Sequence, residues 1–113
     1  MPLIPADLRA RLIENGKNRD RPGYDPPPVL KLFTPWAGAT WLIIDADPEE
    51  PDRLFGLCDL GLGTPELGYV WLPEVEELTG PGGLRVERDL YFEADRPLSA
   101  YTEDARAKGR IDA

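Results

Sequence analysis

The apolar positions near the start of the chain recur at helical spacing. Leu8 and Leu12 lie four residues apart, and the positions between them are charged or small. Side chains at this spacing project from one face of a helix, so the two leucines would form a buried stripe. Pro5 suits the first turn, and Gly16 is a typical stop signal. The pattern therefore predicts an amphipathic helix over residues 5–15.

Five later segments show the patterns of β-strands. In the second segment, Trp41 and Ile43 would point to one side of a sheet, because successive side chains alternate along a strand. Leu42 and Ile44 would then point to the other side. The short loop over residues 35–39 predicts an antiparallel hairpin. The predicted strands are residues 29–34, 40–45, 53–59, 67–72 and 84–92.

Two further helices complete the predicted fold. Pro73 followed by glutamates suits a short helix, because the helix dipole favours negative charge in the first turn. Residues 98–108 form another helical stretch, and the tail over residues 109–113 is expected to fray. Residues 16–28 are rich in proline and charge and are predicted to form a loop. We therefore expect one α+β domain over residues 1–113, built on an antiparallel sheet of about five strands.

The composition lacks the most common catalytic side chain. The 113 residues include no histidine and a single cysteine, Cys58, so no Ser-His or Cys-His pair can form. Cys58 lies in an apolar run and is interpreted as a small buried hydrophobe, as in proteins of a reducing cytoplasm. No apolar run approaches the roughly 20 residues of a membrane span, and no signal peptide is evident. We expect a cytoplasmic protein without a cofactor.

The chain is strongly acidic. Asp and Glu number 21 against 13 Lys and Arg, which gives a formal net charge of -8. Such a charge repels phosphates and anionic membranes, so direct binding to nucleic acid or to a membrane is disfavoured. A basic protein partner fits this charge better. The acids predicted to contact that partner are Glu49, Glu50, Asp52, Glu74, Glu76 and Glu77.

The tryptophans fall in two kinds of position. Trp41 and Trp71 lie in predicted strands and suit the core or the covering of a sheet. Trp36 lies in the hairpin loop beside Gly38. A tryptophan in such a loop is a good exposed anchor for a protein partner, and we predict that role for Trp36.

Carboxylates could also hold a hard cation, which needs oxygen ligands and no histidine. Asp45 with Asp47, or Glu87 with Asp89, would stand about 7 Å apart on a strand and could flank an ion. The same spacing is typical of a solvated strand face, and the sequence contains no calcium-loop motif. We therefore favour a solvated face. The whole set is Asp45, Asp47, Asp59, Glu66, Glu87 and Asp89.

Arg88 interrupts the apolar file of the last predicted strand. A buried arginine needs a carboxylate partner, which Glu66 could supply from a neighbouring strand. Asp59 and Asp89 could join that pair. The structural interpretation is a salt bridge that fixes strand register. The functional interpretation is an anion-binding arginine at the mouth of a pocket, and both alternatives stay open here.

Several short segments of the chain resemble the sequence motifs of a known protein family. The most specific are Glu-Leu-Gly-Tyr at residues 66–69 and Glu-Arg-Asp-Leu-Tyr-Phe at residues 87–92. Together with Phe-Thr-Pro at residues 33–35, Trp41 and Leu-Phe-Gly-Leu-Cys-Asp at residues 54–59, they resemble the bacterial family called domain of unknown function 2958. The resemblance implies a small protein of plasmids, phages or integrative elements, in some cases among genes that counter host defences. It brings no established active site.

Two functional hypotheses follow. In the first, the chain is a non-enzymatic interaction module of a mobile element, which docks on a basic nucleic-acid-handling or defence protein. Mimicry of DNA is one form of such docking, and it needs about one charge per 1.7 Å of duplex. In the second, the chain is a divalent-metal-dependent hydrolase or nucleotide-processing enzyme. Its site would use Asp59, Glu66, Arg88 and Asp89.

Overall fold

A computed structural model of the chain describes residues 2–113. The predicted first helix is present as α1, Ala6–Lys17. It continues past Gly16, which is buried against the sheet: a Cβ at this position would lie 2.0 Å from the carbonyl oxygen of Ala46. Gly16 therefore permits the close approach of α1 to the sheet and does not end the helix.

Five strands form one sheet. They are β1 (Leu30–Phe33), β2 (Thr40–Ala46), β3 (Arg53–Asp59), β4 (Glu66–Trp71) and β5 (Glu87–Arg88). Their order is β4-β3-β2-β1-β5, and every pair of neighbours is antiparallel. The first four strands follow chain order, whereas β5 returns to the free side of β1. This arrangement confirms the predicted α+β fold with an antiparallel sheet.

Helices cover both faces of the sheet. The two helices after α1 are α2 (Leu72–Glu77) and α3 (Leu98–Lys108). The core on one face, here the α1 face, includes Trp41 and Ile43 together with residues of α1 and α2. The core on the opposite α3 face includes Leu42 and Ile44. The side chains of β2 therefore alternate between the faces as predicted.

The last strand is much shorter than the predicted residues 84–92. Only Glu87–Arg88 pairs with β1. The carboxylate of Asp89 then accepts a hydrogen bond from the backbone nitrogen of Tyr91 at 2.9 Å, which turns the chain away from the sheet. Leu90 is 69% exposed and Tyr91 is 93% exposed. The alternating pattern thus continues beyond the strand that the structure contains.

The tail over residues 109–113, which the sequence predicted to fray, is attached to the sheet. The backbone nitrogen of Ile111 donates to the carboxylate of Asp59 at 2.9 Å. Gly109 takes a left-handed conformation with φ of 74°, which ends α3 and redirects the chain. These contacts bring the tail beside the end of β3.

Candidate functional site

A bulge in β2 turns an acidic side chain toward the α3 face. Ile43 pairs with Gly56 on β3. The next pair joins Asp45 to Phe55, so Ile44 is an extra residue without a partner. Because of this extra residue, two consecutive side chains face the same way: Ile44 enters the α3 core, and Asp45 lies beside it.

Asp45 is held in this position by Tyr24 and Arg19. Its side chain is only 1% exposed, so the interpretation of a solvated strand face is wrong for this residue. The hydroxyl of Tyr24 donates to Oδ2 at 2.8 Å. The Nη2 atom of Arg19 lies 3.4 Å from Oδ1, which is longer than the ~2.9 Å of a good charge-assisted hydrogen bond. Asp45 therefore has one firm partner and one loose partner.

The environment shifts the pKa values of this cluster. Burial raises the pKa of Asp45, and the hydrogen bond from Tyr24 and the charge of Arg19 only partly oppose that rise. Burial also raises the pKa of Tyr24 well above its usual range, and the contact with Asp45 adds to the effect. Tyr24 therefore stays protonated at neutral pH and remains a hydrogen-bond donor.

A cavity of about 500 Å³ lies between this part of the sheet and α3. Pockets for small ligands commonly measure ~300–1,000 Å³. The apolar lining comes from Ile44, Phe55, Leu67 and Leu98, and Asp45 contributes its carboxylate. The other polar and charged lining residues include Arg19, Tyr24, Asp25, Thr102, Glu103 and Arg106.

The predicted loop over residues 16–28 forms one side of this cavity. The carboxylate of Asp25 accepts hydrogen bonds from the backbone nitrogen of Ser99, at 3.0 Å, and from the Ser99 hydroxyl. The backbone nitrogen of Leu98 donates to the carbonyl oxygen of Pro26 at 3.1 Å. Since the first N–H groups of a helix lack partners within it, the loop supplies acceptors to the start of α3.

β4 forms an open edge of the sheet, and no strand within residues 2–113 pairs with its outer side. On its α3 side, Leu67 is 42% exposed, Tyr69 54% and Trp71 38%. The Tyr69 ring packs against Phe55 at 5.1 Å between centroids. The guanidinium of Arg53 lies 4.2 Å from the same ring. An exposed strand with apolar side chains is a template for pairing with another chain.

The acids predicted to contact a partner gather at one end of the molecule. Glu49, Glu50 and Asp52 lie in or beside the turn between β2 and β3. The backbone nitrogen of Leu72 donates to the carbonyl oxygen of Asp52 at 2.8 Å, so α2 begins against this turn. Asp52 also pairs with Arg9 at 2.9 Å. The other predicted acids are exposed on α2, and they are Glu74, Glu76 and Glu77.

Trp36 does not have the exposed position that the sequence predicted. Its side chain is partly buried and packs against the α1-face core. The ring lies so close to Gly80 that a Cβ there would approach it to 2.3 Å. The hairpin loop therefore contributes Trp36 to the core, whereas Trp71, expected in the core or covering the sheet, is partly exposed on β4.

Arg88 does not meet Glu66. The two residues lie on β5 and β4, which are opposite edges of the sheet. Arg88 faces the same side as Leu32, its partner on β1. Its Nε is buried and has no hydrogen-bond acceptor within residues 2–113. The expected salt bridge is therefore absent from the described chain, and anion binding by Arg88 stays a prediction.

The other acids of the predicted hydrolase site serve local structure. Asp59 is buried and accepts hydrogen bonds from the backbone nitrogens of Gly61, at 2.8 Å, and Ile111, at 2.9 Å. Asp89 lies 3.5 Å from the ammonium of Lys31. Within residues 2–113, no group of three or more His, Cys, Asp or Glu side chains is placed to hold a metal ion.

Comparison with known proteins identifies the family. The family model described as Protein of unknown function (DUF2958) matches residues 3–112. The chain belongs to this family. Both the β4 edge and the Asp45 cavity of this DUF2958 protein lie inside the matched segment. No curated protein and no solved structure matches the chain. Within residues 2–113, no helix has the length and apolar character needed to cross a bilayer.

Proposed function

We propose that this DUF2958 protein is a non-enzymatic interaction module that binds a basic, extended segment of a nucleic-acid-handling protein along β4. The observation that carries the proposal is the unpaired outer side of this six-residue strand. An added strand would gain backbone hydrogen bonds from the edge. Its alternate side chains would give specificity.

Apolar surface on both sides of β4 favours a strand as the bound segment. On the α3 side lie the exposed Leu67, Tyr69 and Trp71. Toward the other side, a groove of about 320 Å³ runs between β4 and α2; it is lined in part by Leu60 and Leu78, and Tyr69 and Trp71 also border it. Because successive residues of a strand face opposite ways, an added strand would place side chains against both surfaces.

The acidic end of the molecule favours a basic partner. The chain carries a net charge of -8, and Glu74 and Glu77 on α2 directly follow β4 and form no salt bridge within residues 2–113. Complementary charge speeds encounter and selects partners. Where the basic segment belongs to a DNA-binding groove, the acids would take the place of phosphates, which is the mimicry form of this proposal. The family resemblance favours a cytoplasmic host or mobile-element protein as the partner.

The test uses peptides of defined chemistry. A peptide that alternates arginine with valine would be compared with one that carries glutamate in place of arginine. We expect only the basic peptide to bind and to slow amide hydrogen exchange in β4, as a paired strand would. Protection confined to other elements, or equal binding of the acidic peptide, would show that the proposal is wrong.

Two sets of variants separate the contribution of the strand edge from that of the charge. Tyr69→Lys should remove binding, because a lysine on an edge strand opposes pairing. Tyr91→Lys changes a more exposed tyrosine outside β4 and is the matched control.

The charge test compares two double variants, each of which lacks two glutamates. The variant with Glu74→Gln and Glu77→Gln, at the acidic end, should bind the basic peptide more weakly than the variant with Glu87→Gln and Glu93→Gln. Equal weakening would indicate a non-specific charge effect and contradict docking at the acidic end.

A further inference from the structure

Arg19 lies in a setting that fits a guanidinium group. Its Nη2 atom is 3.4 Å from Oδ1 of Asp45. Its guanidinium carbon is 5.5 Å from the ring centroid of Phe55 and 5.7 Å from that of Tyr69. A carboxylate combined with aromatic rings attracts guanidinium by charge and by cation–π contact. These three groups surround the guanidinium of Arg19 where it borders the cavity.

The contact that holds Arg19 is weak. The distance of 3.4 Å is long for a charge-assisted hydrogen bond, and the side chain is 30% exposed. Arg19 lies in the turn after α1 and forms no second salt bridge within residues 2–113. The carboxylate of Asp45 is only 1% exposed, so the loss of Arg19 costs free energy because it leaves a buried charge without its partner. An incoming guanidinium would restore a partner to Asp45 as Arg19 moves out.

We propose that the Asp45 cavity is a receptor for a guanidinium group, that Arg19 is its internal occupant, and that an arginine of the bound basic segment replaces Arg19. The identity of the incoming arginine rests on the proposed function. Leu67 connects the two surfaces, because it belongs to the exposed side of β4 and also lines the cavity. A segment bound along β4 would therefore pass beside the cavity.

The charges around the cavity favour replacement over double occupancy. Once Arg19 has moved out, the charged lining residues are the carboxylates of Asp25, Asp45 and Glu103 and the guanidinium of Arg106. With Arg19 in place the lining carries three carboxylates and two guanidiniums, and without it three carboxylates and one guanidinium, so an added cation is attracted more strongly once Arg19 has moved out. Arginine fits better than lysine because its planar group can bond a carboxylate through two N–H groups and stack on Phe55.

The test uses Nα-acetyl-argininamide as the probe, with Nα-acetyl-lysinamide for comparison, in calorimetric titrations of the chain. Arg19→Gln removes the internal occupant, so we expect it to bind the arginine probe about tenfold more tightly than the wild type does. Arg21→Gln removes an exposed arginine from the same turn and should bind like the wild type. Adding Asp45→Asn to Arg19→Gln should remove the gain.

Equal affinity of the wild type and Arg19→Gln would overturn the proposal, as would full binding by the double variant. Circular dichroism and thermal melting would establish that the double variant is folded. Independently, chemical shifts of Arg19→Gln on addition of the probe should change at Ile44 and Phe55, and changes confined to other positions would overturn the assignment.

The probe is not a strand and so tests the cavity separately from the β4 edge. If the probe binds Arg19→Gln but the basic peptide does not bind the chain, the guanidinium receptor stands and the strand proposal is wrong. If the peptide protects β4 but no variant binds the probe, the strand proposal stands and the receptor is overturned.

Discussion

The two faces of the sheet are packed in different ways. On the α1 face, the backbone of α1 at Gly16 packs directly against the backbone of β2 at Ala46, and the side chain of Leu12 is 1% exposed. On the α3 face, the bulge in β2 places the carboxylate of Asp45 beside a cavity of about 500 Å³. A close-packed apolar face supplies stability, whereas an incompletely filled face with a buried charge can bind a ligand. The proposed guanidinium receptor would assign ligand binding to the α3 face, while the close packing of the α1 face supplies stability.

The largest expected loss of stability is that of Leu12→Ala on the α1 face, with Leu98→Ala on the α3 face for comparison. Leu12→Ala should lower the free energy of unfolding by about 4 kcal/mol, because the close-packed α1 face cannot fill the space left behind. Leu98→Ala should cost about 2 kcal/mol, because Leu98 already borders the cavity and loses fewer contacts. Urea unfolding of both variants measures the difference. Equal losses would show that the two faces are packed alike.

A smaller loss is expected from the close approach at Gly16. The Cβ of Gly16→Ala would collide with the carbonyl oxygen of Ala46, so α1 must shift from the sheet at a cost of about 3 kcal/mol. Gly68→Ala, in β4, is the control, since a Cβ there meets nothing within 4 Å. Thermal melts should show a clear decrease for the first variant and little change for the second. Two similar melting temperatures would contradict the close packing of α1.

The buried carboxylate on the α3 face should make stability depend on pH. The carboxyl group of Asp45 has a higher pKa in the folded chain than in the unfolded chain. Its contribution to folding stability is therefore fully present below the unfolded pKa of about 3.9 and is lost as the pH rises through the folded pKa. The stability of the wild type relative to Asp45→Asn should therefore fall as the pH rises from about 3.5 to about 7. Paired urea titrations across this range give the difference. A constant or rising difference would show that ionised Asp45 is not disfavoured.

The last prediction concerns the reactivity of a thiol on the α1 side and involves no change in stability. Cys58 packs partly buried against the α1-face core, and burial raises the pKa of its thiol to about 11. Its alkylation at neutral pH should therefore be about 100-fold slower than that of an exposed cysteine, since the thiolate is the reactive form. Iodoacetamide labelling followed by mass spectrometry measures the rate, with the urea-unfolded chain as the control. Equal rates in the folded and unfolded chain would contradict this packing.

The elements of the fold were predictable because burial repeats with the period of the secondary structure. The alternation of Trp41 to Ile44 placed the right side chains on each face of β2. The prediction of a strand over residues 84–92 was too long, because the alternation of apolar and polar residues continues through Asp89. At Asp89 a side-chain hydrogen bond turns the chain. Local turn chemistry outweighed the apolar pattern there.

The candidate site was far less predictable than the fold. Asp45 follows an uninterrupted apolar run, which was a signal of burial, but the bulge that directs it toward α3 depends on its pairing with Phe55. Arg19 and Tyr24 come from a loop without periodicity, and only the folded chain brings them to Asp45. The prediction that Trp36 is exposed was wrong for a similar reason, since its ring packs against Gly80, which is distant in the sequence.

The contact between Asp25 and Ser99 has a consequence for the order in which the protein folds. It joins residues 74 positions apart, whereas β1 to β4 are each paired with their neighbours in the chain. Short loops close at a lower entropic cost than long ones, so we expect β1 to β4 to pair early and α3 to dock late. On a growing chain, the β4 edge would then be complete before the Asp45 cavity exists.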